Sequence, residues 1–154
     1  MGTNRVCHAV ANMANSYLYV TGCMPEYLDP GIESTCLRYD IASNKWSNMP
    51  KLRQGRYNHG SCCLGDTVYV FCGVDKSFKL LSSVEKLQTA HMEDGWKDVQ
   101  LLPELSPRHS ITATVLRNNE ILIFGGKNQA RALIKEEILF NTMDNTCTLM
   151  QIDG

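Results

Sequence analysis

The sequence predicts an all-β chain made of three copies of one four-stranded antiparallel unit. Three observations point there. His8, His59 and His109 stand 51 and 50 residues apart, while Trp46 and Trp96 are 50 apart and Cys147 lies 51 further on. The runs Tyr17-Leu18-Tyr19-Val20-Thr21-Gly22, Val68-Tyr69-Val70-Phe71-Cys72-Gly73 and Ile121-Leu122-Ile123-Phe124-Gly125-Gly126 hold the same place in each unit. The strand before each run is rich in small residues: Ala9 and Ala11, then Ser61, Cys62 and Cys63, then Thr112, Ala113 and Thr114. Self-similarity at this period marks an architecture of stacked supersecondary units, none of which buries its apolar surface alone.

Each unit reads as four short strands. They are expected at 8–13, 17–22, 34–40 and 45–49, at 60–64, 67–73, 83–87 and 95–101, and at 110–116, 120–126, 136–141 and 146–152. Leu64-Gly65-Asp66 and Asn118-Asn119 supply the positive φ that tight hairpins need, and the stretch from Asp40 to Asn44 does similar work before Trp46. The second strands are near-continuous aromatic and β-branched runs, which predicts burial on both sheet faces. Small first strands belong where sheets converge on an axis, because large side chains would collide there. The Trp-bearing fourth strand then lies outside, where an indole fills the wider wedge between sheets. A β-propeller-like arrangement of three blades follows, and it covers sheet faces that would otherwise stay open.

The 154 residues suffice for one core, with 44% apolar and 20% charged side chains and a net charge of −1. That balance argues against a dedicated nucleic-acid binder or a polybasic membrane protein. No apolar run reaches the roughly 18 residues of a membrane span, and the first residues lack a signal-peptide core. A cytoplasmic location is expected. Seven cysteines, an odd number set in or beside apolar runs, read as reduced thiols. Adjacent Cys62 and Cys63 point to opposite faces of a strand, so they do not form a metal pair. No GxGxxG, GxxxxGK[ST] or GxSxG motif occurs, and no cofactor is expected.

Taken together, the repeat elements resemble the Kelch-repeat family. Its pattern sets a basic residue and His near the inner strand, then a Gly-Gly doublet, a Tyr-Asp and a Trp. The first unit has Arg5, His8, Gly22, Tyr39-Asp40 and Trp46; the second has Arg56, His59, Gly73 and Gly95-Trp96. The third has Arg108-His109, Gly125-Gly126 and Phe140-Asn141 in place of Tyr-Asp, with Cys147 in place of Trp. The doublet is reduced to Gly22-Cys23 and Cys72-Gly73 in the first two units. The resemblance implies one partial propeller domain over 1–154, with blades at about 5–50, 56–102 and 108–152. Because Kelch-like propellers close with five to seven blades, further blades or self-association would complete the ring.

The same resemblance implies a non-catalytic scaffold that binds a partner protein through its loops. It also brings two further readings, the substrate-recognition half of a BTB-Kelch cullin ubiquitin-ligase adaptor and a copper oxidase. A part in a large cytoskeletal or ciliary assembly is a third. Alternation of strands places the loops at 23–33, 74–82 and 127–135 on one side, together with the links at 50–58 and 103–108. Surface loops on a rigid scaffold are where recognition is expected. Tyr27, Tyr57 and Phe78 are the aromatic candidates, with Asn58 beside them. Lys127, Arg131 and Lys135 make the last loop basic, whereas Glu26, Asp29 and Glu33 make the first acidic. The recurring Arg and His residues are expected to be structural, bonding loop carbonyls and filling the core.

Overall fold

The computed structural model describes residues 4–24 and 31–150, so Glu26, Tyr27 and Asp29 lie outside the described residues. Its first sheet contains β1 (Ala9–Met13), β2 (Tyr17–Thr21), β3 (Cys36–Asp40) and β4 (Lys45–Met49). The second contains β5 (Gly60–Leu64), β6 (Thr67–Phe71), β7 (Val84–Gln88) and β8 (Lys97–Val99). The third contains β9 (Thr112–Arg117), β10 (Glu120–Phe124), β11 (Glu137–Asn141) and β12 (Thr146–Met150). Every sheet is antiparallel with its strands in chain order, and β5 lies against both β1 and β9. The small first strands are therefore innermost. Three radially stacked blades result.

Ile32–Ser34 form a 3-10 turn, so β3 starts at Cys36, and several other strand ends differ from the sequence reading for one backbone reason. Gly22, Cys72 and Gly125 take φ of 63°, 55° and 73°, so the pleat of each second strand stops one residue earlier at Thr21, Phe71 or Phe124. Ser110 has φ of 55°, which delays β9 to Thr112, and Gly95 at 68° shortens β8 after a 3-10 segment over Thr89–Asp94. Burial on both faces is most complete in β6, whose last four residues are all buried, and it also holds for Tyr19, Val20 and Thr21 at the end of β2. β10 alternates instead, with Ile121 and Ile123 buried and Leu122 and Phe124 half-buried. The cause is position: β6 is the second strand that has a blade on either side.

Two wedges of apolar side chains hold the blades together. Between blades 1 and 2 lie Met13, Tyr19, Leu52, Val68, Leu87 and Trp96. Between blades 2 and 3 lie Tyr69, Phe71, Ile121, Ile123, Ile138 and Phe140. The Phe140 ring meets the edges of Tyr69 and Phe71 with both centroids 5.9 Å away. Burying each such large side chain contributes about 1.5–3 kcal/mol. Trp96 fills its wedge as expected, 2% exposed, and its indole N–H donates to the Pro50 carbonyl at 2.9 Å. Among the described residues, no blade precedes that of Trp46. It is 38% exposed and tilts against Tyr39 with ring centroids 4.9 Å apart.

Candidate functional site

The recurring arginines anchor the loops at the strand ends. Arg56 is fully buried and donates to the carbonyls of Cys72 at 2.9 Å and Ser83 at 3.0 Å. It also pairs with the buried Glu85 carboxylate at 2.5 Å. Glu85 in turn accepts the backbone N–H groups of Arg53 at 2.8 Å and Gln54 at 3.1 Å. One ion pair thus fixes the link from blade 1 to blade 2. Arg108 repeats the design more weakly, with Glu136 at 3.3 Å and 58% exposed, and Arg5 donates to the Gly22 carbonyl at 3.1 Å.

His59 sits in the seam behind this anchor, sharing a 2.8 Å hydrogen bond with the Thr21 hydroxyl. Burial, reinforced by the nearby charges of Arg56 and His8, pushes its pKa down to about 3. The ring is neutral at ordinary pH and belongs to the core, as its recurrence implies.

In front of these anchors, blades 2 and 3 carry the same loop twice. Val74 bridges to Tyr57 on one side and to Leu80 on the other; Lys127 bridges to His109 and to Leu133. The Asp75 carboxylate accepts the N–H groups of Ser77 at 2.8 Å and Lys79 at 3.0 Å. Asn128 does the same for Ala130 at 3.0 Å and Ala132 at 3.1 Å. Such Asx turns let a short polar side chain stand in for backbone bonds. At the tip, Phe78 has φ of 62° and Arg131 has φ of 60°. A left-handed conformation costs a residue with a Cβ about 1–2 kcal/mol. Phe78 is 68% exposed and Arg131 is also exposed, so neither repays this strain through core packing.

The two tips and the link residues border one cavity of about 250 Å³, lined by Tyr57, Asn58, Phe78, His109, Asn128 and Arg131 among others. Four sequence-singled residues thus converge here: Tyr57, Asn58, Phe78 and Arg131. Tyr57 is 5% exposed, so it forms the floor more than a protruding anchor. Lys127 is exposed and belongs to the same loop, whereas Lys135 does not line this cavity. His109 and Asn128 were not singled out for binding; the Asn at the start of a polar turn is the signal that marks Asn128. None of the lining residues is a carboxylate. Burial lowers the His109 pKa, and the positive charges of Lys127 and Arg131 lower it further, which shows the sign of the local potential.

Three four-stranded antiparallel blades with recurring Arg, His and Gly elements define the class: a partial Kelch-type β-propeller. The chain is similar in sequence to Kelch-repeat proteins. It is 36% identical to Kelch repeat protein M-T9 of Myxoma virus (strain Lausanne) over 112 residues, spanning 73% of this chain and 20% of that protein. It is 30% identical to alpha-scruin of Limulus polyphemus over 127 residues, 77% of this chain and 13% of that one. The tRNA wybutosine-synthesizing protein 4 of Rattus norvegicus is 29% identical over 113 residues, 71% of this chain and 16% of its own. The chain therefore spans a fifth or less of the length of these relatives. No family model matches it.

Proposed function

We propose that the chain is a non-catalytic interaction module that binds a partner protein at the cavity between the blade 2 and blade 3 loops. The observation that carries this reading is the doubled loop, which displays an exposed Phe78 and an exposed Arg131 at strained backbone positions. Bulky side chains held at a sparsely populated φ on an exposed loop motivate a functional reading. The cavity suits a segment that offers a carboxylate to Arg131 and an apolar side chain to Phe78 and Leu80.

The thiol chemistry supports a non-catalytic role. Burial pushes Cys36, Cys62, Cys63 and Cys72 up to about 12 and Cys147 to about 11, so these thiols stay protonated and weakly nucleophilic. Among the described residues, no three His, Cys, Asp or Glu side chains cluster as metal ligands. No helix there is long and apolar enough to cross a membrane. The outward sides of blades 1 and 3, which carry exposed Val10, Trp46 and Met150, are where further blades or a second copy would pack.

Affinity capture with quantitative mass spectrometry tests the reading, comparing the native chain with a variant carrying Phe78→Ala, Lys127→Glu and Arg131→Glu. The expected result is selective loss, roughly tenfold or more, of a defined set of proteins, because anchor residues typically carry most of the binding energy. An unchanged set would discard this cavity as the site.

A further inference from the structure

We propose that the space beside Cys147, between blades 2 and 3, is a binding site for the indole side chain of a tryptophan presented by a partner polypeptide. This space shares no lining residue with the cavity between the loops. Register aligns Leu18 with Tyr39 and Trp46 in the first blade, and Ile121 with Phe140 and Cys147 in the third. In the second blade Val68 pairs with Leu87, and Trp96 stands immediately before Lys97, the residue of β8 that pairs with Lys86. Cys147 therefore stands where Trp96 stands one blade earlier.

Trp96 shows what this position accommodates. Its indole packs with Leu52 and Leu87 and donates its N–H to the Pro50 carbonyl at 2.9 Å. In the next blade, the link carries Pro103 and Leu105 at the places of Pro50 and Leu52. The ring itself is replaced by a thiol. What remains is a cavity of about 270 Å³ lined by Pro103, Leu105, Ser106, Ile138, Cys147 and Leu149, among others. Phe140 is larger than Leu87 and takes up some of the room, yet the cavity persists. An apolar cavity of about 150 Å³ is enough to admit benzene in another small protein.

The walls suit an indole rather than a charged or flexible group. Cys147 is protonated, since burial pushes its pKa to about 11, and Leu105 and Ile138 are buried. The charged lining residues are Glu104, Glu136 and the buried Arg108, and the Arg108 guanidinium is already engaged by Ser106 and Glu136. Leu149 lines the cavity and is 65% exposed, so a guest backbone can remain outside while its ring enters. Aromatic rings with a polar N–H make large apolar contacts and still satisfy a carbonyl at the edge.

The test is a titration of the isotopically labelled chain with N-acetyltryptophanamide, read by amide chemical shifts, with free indole and N-acetylleucinamide as reference probes. Saturable shifts at Leu105, Ser106 and Thr148 are expected at millimolar concentrations or below, with the leucine probe roughly tenfold weaker. Cys147→Trp should abolish the response and raise Tm by about 2–4 °C. Trp96→Ala should add a second set of shifts at Leu52. Absence of saturable shifts in the native chain, equal binding of the leucine probe, or an undiminished response in Cys147→Trp would overturn the proposal. Binding of free indole without N-acetyltryptophanamide would also overturn it, by making the site one for small molecules alone. The native-chain comparison decides the matter even if a variant fails to fold.

Discussion

Replacing Glu85 by alanine is expected to destabilise the fold by about 3–5 kcal/mol, the usual consequence of removing one partner from a buried ion pair. Three bonds are lost together, one from Arg56 and two from the backbone of Arg53 and Gln54. The Arg56 guanidinium would then lie fully buried with its charge uncompensated. Glu85→Gln keeps an acceptor and the shape, so its loss should be smaller. Denaturant unfolding measures both. A double change of Arg56 and Glu85 to leucine should cost less than the sum of the single changes, because neither then strands a charge. Equal, small effects for Glu85→Ala and Glu136→Ala would mean that burial does not set the strength of this anchor.

Gly22→Ala is the second large effect. A Cβ at this position would lie 2.1 Å from the Arg56 carbonyl oxygen and 2.8 Å from Cε1 of His59, with the backbone held at a φ of +63°. The left-handed term contributes about 1–2 kcal/mol and the forced repacking a further 1–3 kcal/mol. Gly65→Ala is the matched control: its φ is +58°, yet nothing lies within 4 Å of the added carbon. Thermal unfolding should therefore show a loss of about 2–5 kcal/mol for Gly22 and about 1–2 kcal/mol for Gly65. Similar losses at the two sites would mean that blade contact plays no part at Gly22.

The features legible in the sequence are those each blade repeats. The second-strand runs, the recurring Arg and His, and the small inner residues answer to a local geometry that every unit shares, so they show through a period of about 50. Glu85 was hidden because register places it level with Leu37 in the first blade and Ile138 in the third, both apolar. Nothing in its own strand marks it as buried. Trp46 and Trp96 look alike in sequence but differ in exposure, since burial depends on whether another blade precedes them. The loop tips escaped for a different reason. Phe78 and Arg131 are neither Gly nor Asn, so they carry no ordinary turn signal, and their conformation follows from Asp75 and Asn128 three residues earlier. Tyr57, Phe78 and Arg131 could be picked out as loop residues of a binding type; their convergence on one cavity could not, because it requires two blades side by side.

The most direct measurement compares unfolding free energy and partner affinity in a Phe78→Gly, Arg131→Gly variant. Glycine relieves the left-handed strain at both tips, so stability should rise by about 1–2 kcal/mol for the pair after allowing for glycine's greater unfolded entropy. Affinity for the captured partner should fall roughly tenfold or more over the same change. Gained stability with lost binding is the result expected of side chains held for recognition. Unaltered affinity, or a lower melting temperature, would contradict the account.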